Sequence, residues 1–176
     1  MPTSIRAVVG STLVFLIIGF LALLAIVGMT FWLGERSQSY FDRAIEARDT
    51  RGAAVDLRNA VQTAESSQRG FMVAGNEIYL APYDTAKTVA QRKLDALKQL
   101  LTVYPDAQGQ LDRLQGLVAQ KFDEMDQTIT LKRSRHDDEA LALFNTNKGK
   151  ALMDQANVFI TGIVAQADAR LTAGVE

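Results

Sequence analysis

No charged residue occurs between Arg6 and Glu35, and the stretch that separates them is rich in Leu, Ile, Val and Phe. As a helix, residues 7–34 run roughly 42 Å at ~1.5 Å per residue, more than the ~30 Å hydrocarbon core of a bilayer requires. A cleaved signal peptide has a shorter apolar region, of ~7 to 15 residues, closed by a small-x-small site. This stretch is far longer and ends in Phe31-Trp32-Leu33, so it reads as an uncleaved anchor in a lipid bilayer. Arg6 and the amino terminus precede it and Glu35-Arg36 follow it, which places the N-terminus in the cytoplasm and residues from about 35 onward outside, with Phe31 and Trp32 at the outer interface. The absence of cysteine is compatible with a bacterial periplasm. The expected location is therefore the bacterial inner membrane.

Every acid, and every base except Arg6, lies from Glu35 onward. Lys+Arg 19 against Asp+Glu 20 leaves a net charge of −1, so no basic field exists to hold a phosphate backbone, and a nucleic-acid partner is excluded. With 7% aromatic residues and 3 Pro, the composition also leans away from strand-rich folds and toward helix.

The periodicity beyond the anchor is helical. Ala54, Leu57, Val61, Ala64, Gln68, Phe71 and Gly75 recur in steps of three and four, with Gln68 as the one polar member of the stripe. Gly75-Asn76 predicts the stop, since glycine accepts a left-handed cap and asparagine opens the next turn. Pro82 lies too deep for the first turn of a helix begun at Asn76, so residues 77–81 are expected to form a separate short turn. A second helix is expected over 82–103, with Val89, Leu94, Leu97, Leu100 and Leu101 as its apolar contribution, and Tyr104-Pro105-Asp106 as the next punctuation. Leu111, Leu114, Val118, Phe122, Met125, Ile129 and Lys132 define a third helix ending near Arg135. Asp137 or Asp138 is expected to cap a short piece through Phe144, and Asn145-Thr146-Asn147 to cap a last helix carrying Leu152, Ala156, Phe159, Ile160, Ile163, Ala167 and Leu171.

Helices with one apolar stripe each and short turns between them bury those stripes most simply as an antiparallel four-helix bundle. The expected fold is thus all-α: a transmembrane helix at 1–34, a helical stalk at 35–50, and a bundle at 51–176. Counting down the last helix brings Glu176 level with about Arg48, some 20 Å above the bilayer. The expectation is therefore the front of a longer receptor whose second span follows.

The run Ala64-Glu65-Ser66-Ser67-Gln68-Arg69-Gly70-Phe71-Met72-Val73-Ala74-Gly75-Asn76-Glu77-Ile78-Tyr79-Leu80-Ala81-Pro82-Tyr83 resembles the signature of the third class of cyclase/histidine-kinase-associated sensory extracellular (CHASE) domains. That family shows an acid, a Gln-Arg-Gly-aromatic step, a Gly followed by Asn or Asp, and a Tyr-Leu-x-Pro-Tyr close. Leu114, Leu117, Lys121, Ile129 and Leu131 are similar to its later pattern, and Gly149-Lys150 to its step before the last helix. The resemblance implies a helical extracytoplasmic sensor feeding a cytoplasmic histidine kinase or cyclase, with a small-molecule or protein stimulus that the match does not identify.

Several residues invite a chemical reading. Glu65 and Arg69 are spaced for a surface ion pair worth ~0.2 to 0.5 kcal/mol. With Gln68 they could also form a polar layer near the far tip, where a small anion binds or a packing switch acts. Gly70 costs ~1 kcal/mol in mid-helix relative to alanine, which close approach of a neighbouring helix would offset, or which a hinge would exploit. Glu65, Gln68, Arg69, Gly70, Gly75, Asn76, Tyr79, Pro82 and Tyr83 are accordingly the candidate signalling or ligand residues. His136, among Arg135, Asp137, Asp138 and Glu139, reads as a solvated turn rather than a phospho-acceptor or a metal site. No Ser/His/acid trio, cysteine nucleophile or paired metal motif is present, so no catalytic residue, metal or cofactor is expected.

The function expected is that of a signal-input module of a membrane receptor, itself not an enzyme, paired with a second copy in parallel through the stalk. The alternative is a membrane-tethered scaffold with no signalling output.

Overall fold

The computed structural model describes residues 3–102 and 104–173. All the regular structure among them is helical: α1 Thr3–Ala74, a 3₁₀ turn Glu77–Leu80, α2 Tyr83–Leu100, α3 Pro105–Arg133, α4 Asp137–Phe144 and α5 Lys148–Ala173. The chain divides within α1 into two compact units, Met1–Arg43 and Ala44–Glu176. In the first, Phe15–Trp32 is long and apolar enough to cross a membrane, and none of it is buried against protein.

The second unit is the bundle. Its core is built from one face of each long helix: Ala54, Leu57, Val61, Ala64 and Phe71 from α1; Leu94 and Leu97 from α2; Leu111, Leu114, Val118, Met125 and Ile129 from α3; Ala156, Ile160 and Ile163 from α5. Cross-helix pairs fix the topology. Glu65 meets Lys121 and Gln68 meets Thr128, so α1 and α3 run the same way. Asp56 pairs with Lys93 of α2, and Arg51 with Asp168 near the end of α5, so those two helices return. At that end the guanidinium of Arg170 lies 3.4 Å from the centre of the Tyr104 ring.

The punctuation follows local chemistry. Gly75 takes φ +65°, the left-handed stop, and its N–H donates to the Phe71 carbonyl at 2.8 Å. Asn76 then caps the 3₁₀ turn, its Oδ1 accepting from the Ile78 N–H at 3.0 Å. Pro82 is the N-cap of α2, outside the ladder where its missing N–H costs nothing. Helix α2 stops at Leu100, short of the expected end at 103; Val103 lies outside the described residues. One expected cap is displaced. His136, not an aspartate, is the N-cap of α4, and Asp137 sits in the first turn, where it pairs with Lys132 at 2.7 Å. Before α5, Asn147 adopts φ +57°, and Thr146 Oγ1 receives the Lys148 N–H at 3.3 Å.

Candidate functional site

An ionic group lies inside the bundle between α1, α3 and the start of α5. Lys121 is 3% exposed, and its Nζ stands 3.1 Å from Glu65 Oε1 and 3.6 Å from Glu124 Oε2. Glu124 is also buried, and its Oε2 has no hydrogen-bond partner. Glu65 Oε1 additionally accepts from the solvent-exposed Arg69 at 2.9 Å, so the guanidinium closes the group from outside and brings its net charge to zero.

Helical spacing builds this arrangement. Lys121, Glu124 and Thr128 follow one another at three and four residues, flanking the apolar stripe of α3 on one side. Thr128, fully buried, bonds back to the Glu124 carbonyl at 2.9 Å and accepts from Gln68 Nε2 at 2.5 Å. Gln68 is thereby satisfied although only 1% exposed. The remaining wall is Gly149: a methyl there would stand 2.5 Å from Glu124 Oε2 and 2.6 Å from Lys121 Nζ. A side chain there would push the ends of Lys121 and Glu124 aside, and glycine lets the first turn of α5 close over the pair as it stands.

A second group pins the α1–α2 turn. The ring of Tyr79 lies on Gly70, where a Cβ would meet Tyr79 Cδ1 at 2.6 Å. The close approach expected at Gly70 therefore comes from the 3₁₀ turn, not from a neighbouring helix. Leu80 enters the core, and Glu77 receives Arg133 of α3 through both carboxylate oxygens at 2.8 and 2.7 Å. That hydrogen bond holds the Glu77 carboxyl below its ordinary range. Tyr83 is buried, packs edge-on against Phe122 at 6.3 Å, and donates its hydroxyl to Asp126 Oδ1 at 2.8 Å. Burial, then the Asp126 bond, pushes the Tyr83 phenol far above its ordinary range. Lys87 completes the corner, 2.5 Å from Asp126 Oδ2.

The nine residues singled out from the sequence thus divide in two. Glu65, Gln68 and Arg69 join a polar layer; Gly70, Gly75, Asn76, Tyr79, Pro82 and Tyr83 shape the turn. The other half of the layer, Lys121, Glu124, Thr128 and Gly149, was not identified as a site. Its signal was present, because a Lys and a Glu spaced i, i+3 lie beside the α3 stripe, three and four positions from Val118 and Thr128. Among the described residues no three acids, histidines or cysteines gather as a metal site.

The sequence matches the family model of the CHASE3 domain over residues 42–176. No curated protein sequence matches the chain. The fold is similar to the crystal structure of the Rhodopseudomonas palustris histidine kinase HK9 sensor domain, with 24% identity, a TM-score of 0.64, and coverage of 72% of this chain and 98% of that one.

Proposed function

Since the chain belongs to the CHASE3 domain family, we propose that it is the sensory input part of a membrane-anchored receptor, with residues 1–34 as a cytoplasmic N-terminus and transmembrane anchor, 35–50 as a helical stalk and 51–176 as an extracytoplasmic sensor in the bacterial inner membrane. The output is a histidine kinase or a cyclase. The observation that carries this reading is a family match over the whole bundle, 42–176, preceded in the same chain by the apolar segment Phe15–Trp32. Two copies pair in parallel through residues 35–50, so that a displacement of α1 in one bundle is read against its twin.

The polar layer supplies the bistable element such a sensor needs. Lys121, held between Glu65 of α1 and Glu124 of its own helix, ties one register of α1 against α3, and a small slide would break the 3.1 Å contact to Glu65 and leave the ammonium with Glu124 alone. Apolar packing alone resists such a slide less selectively, because neighbouring registers bury similar area.

Topology is the first test. The chain has no native cysteine. Cysteine at His136 is expected to react with a membrane-impermeant thiol reagent in intact spheroplasts, and cysteine at Thr3 only after lysis. The opposite labelling would overturn the orientation and, with it, the sensory assignment.

A further inference from the structure

We infer that the groove between α2 and α3 is a binding site for a small organic monocarboxylate with an apolar body. The groove encloses about 600 Å³, within the ~300 to 1,000 Å³ typical of small-molecule sites. Its floor is made of the buried side chains of Leu94, Val118 and Phe122. Its rim carries Arg92 and Gln115, neither of which has a hydrogen-bond or ion-pair partner among the described residues.

The other clefts lack this combination. In the one between α1 and α2, Lys93 is matched to Asp56 at 2.8 Å and Arg51 to Asp168 at 3.0 Å, and Arg48 shares the lining with Glu46 and Asp49. Beneath Tyr79 the hydroxyls of Thr63 and Ser67 bond back to their own helix. The cleft beside Tyr83 is crossed by the Glu77–Arg133 pair.

The chemistry of the ligand follows from what is left unmatched. Lys87, at the upper end of the α2–α3 groove, is neutralised by Asp126; Asp84 stands at that end too, about 12 Å along the helix from Arg92, so only the lower end offers an unmatched positive charge, on Arg92. A guanidinium presents a planar fork that suits a carboxylate, and a single one balances a monoanion rather than a phosphate dianion. From Lys87 to Arg92 the helix rises about 8 Å, room for one ring or a short branched chain lying on Phe122 and Val118. The carboxylate then meets Arg92 and the Gln115 amide at the lower end. Because Phe122 is the chain neighbour of Lys121, occupancy presses on the helix that carries the polar layer. That consequence rests on the sensory reading; the binding itself does not.

The test uses the full chain in lipid nanodiscs with methyl-labelled Leu and Val, and benzoate as the probe. Saturable shifts confined to Leu94 and Val118 are expected. Arg92→Gln, on an exposed side chain, should weaken them at least tenfold, and Ala119→Phe, which fills the groove, should remove them. Benzyl alcohol has the same body without the charge and acetate the charge without the body; each should bind at least tenfold more weakly than benzoate. Equal binding by Arg92→Gln, shifts centred elsewhere, or no saturable binding of benzoate, 3-phenylpropionate or isovalerate would overturn the site. Benzoate bound in the groove of a receptor whose output does not change would uphold the site and sink the sensory reading instead.

Discussion

Lys121→Met tests the buried polar layer most severely. The ammonium is 3% exposed and lies 3.1 Å from Glu65 and 3.6 Å from Glu124. At an effective dielectric near 20, each contact is worth about 5 kcal/mol of Coulomb attraction before the cost of removing the ions from water, which is several kcal/mol apiece. The intact group is therefore close to neutral in net stability. Removing its centre is not: Glu65 keeps Arg69, but Glu124 keeps no cation in a site already short of a hydrogen bond. The expected loss is ~3 to 5 kcal/mol, or a fall in Tm on the order of 10 °C. The apolar replacement Glu65→Met/Lys121→Met/Glu124→Leu removes the ammonium and both carboxylates at once, leaving only the exposed Arg69, and is expected to unfold at or above the wild-type Tm. Thermal and urea unfolding of residues 44–176, followed by circular dichroism, measures both. A Lys121→Met bundle within about 0.5 kcal/mol of wild type would mean that Glu124 is not left buried and unpaired, because an ion group of this kind cannot lose its centre so cheaply.

The glycines give opposite signs. Gly149→Ala should destabilise by ~1 to 3 kcal/mol despite its helix propensity, since the methyl meets Lys121 and Glu124; Gly162→Ala, whose nearest neighbour is Gln110 Oε1 at 3.9 Å, should stabilise by up to ~1 kcal/mol, and chemical denaturation separates the two. Gln68→Leu should leave the bundle as stable or more so, because Thr128 keeps its bond to the Glu124 carbonyl; a loss above about 2 kcal/mol would contradict this. The Glu77 carboxyl should titrate below its ordinary 4.5 by carbon-detected NMR and return toward it in Arg133→Gln. Its folded value is depressed, so its contribution is present above the unfolded value and fades as pH falls through the folded one. Single cysteines along residues 40–50 should cross-link in membranes with a helical period; uniform absence of cross-links would count against the parallel pair.

The helices were legible because their apolar stripes, Leu57 to Phe71 on α1 and Leu111 to Ile129 on α3, are long and regular, and because Gly75, Asn76 and Pro82 each suit only a few backbone states. The ionic layer was half legible. Glu65 and Arg69 at i, i+4 look like an ordinary surface pair, and Gln68 looks like an intrusion in a stripe. What makes them one site lies on α3 and α5, fifty and more residues away, and a periodicity argument turns Lys121 and Glu124 outward because lone charges are rarely buried. Their burial depends on each other and on the missing side chain of Gly149, a three-body condition that no single helix displays. The partner of Gly70 was hidden for a similar reason. A 3₁₀ turn that folds its Tyr79 back onto α1 leaves no periodic signal in so short a segment.

The decisive question for the receptor is whether the polar layer sets the signalling state. The direct measurement is autophosphorylation, at matched membrane abundance, of this chain joined through a second span to a histidine-kinase core, for wild type and for the Glu65→Met/Lys121→Met/Glu124→Leu replacement. A folded bundle at least as stable as wild type is expected, with kinase output fixed away from the wild-type level because no ion pair then ties the register of α1 to α3. A stable replacement whose output equals wild type would contradict this.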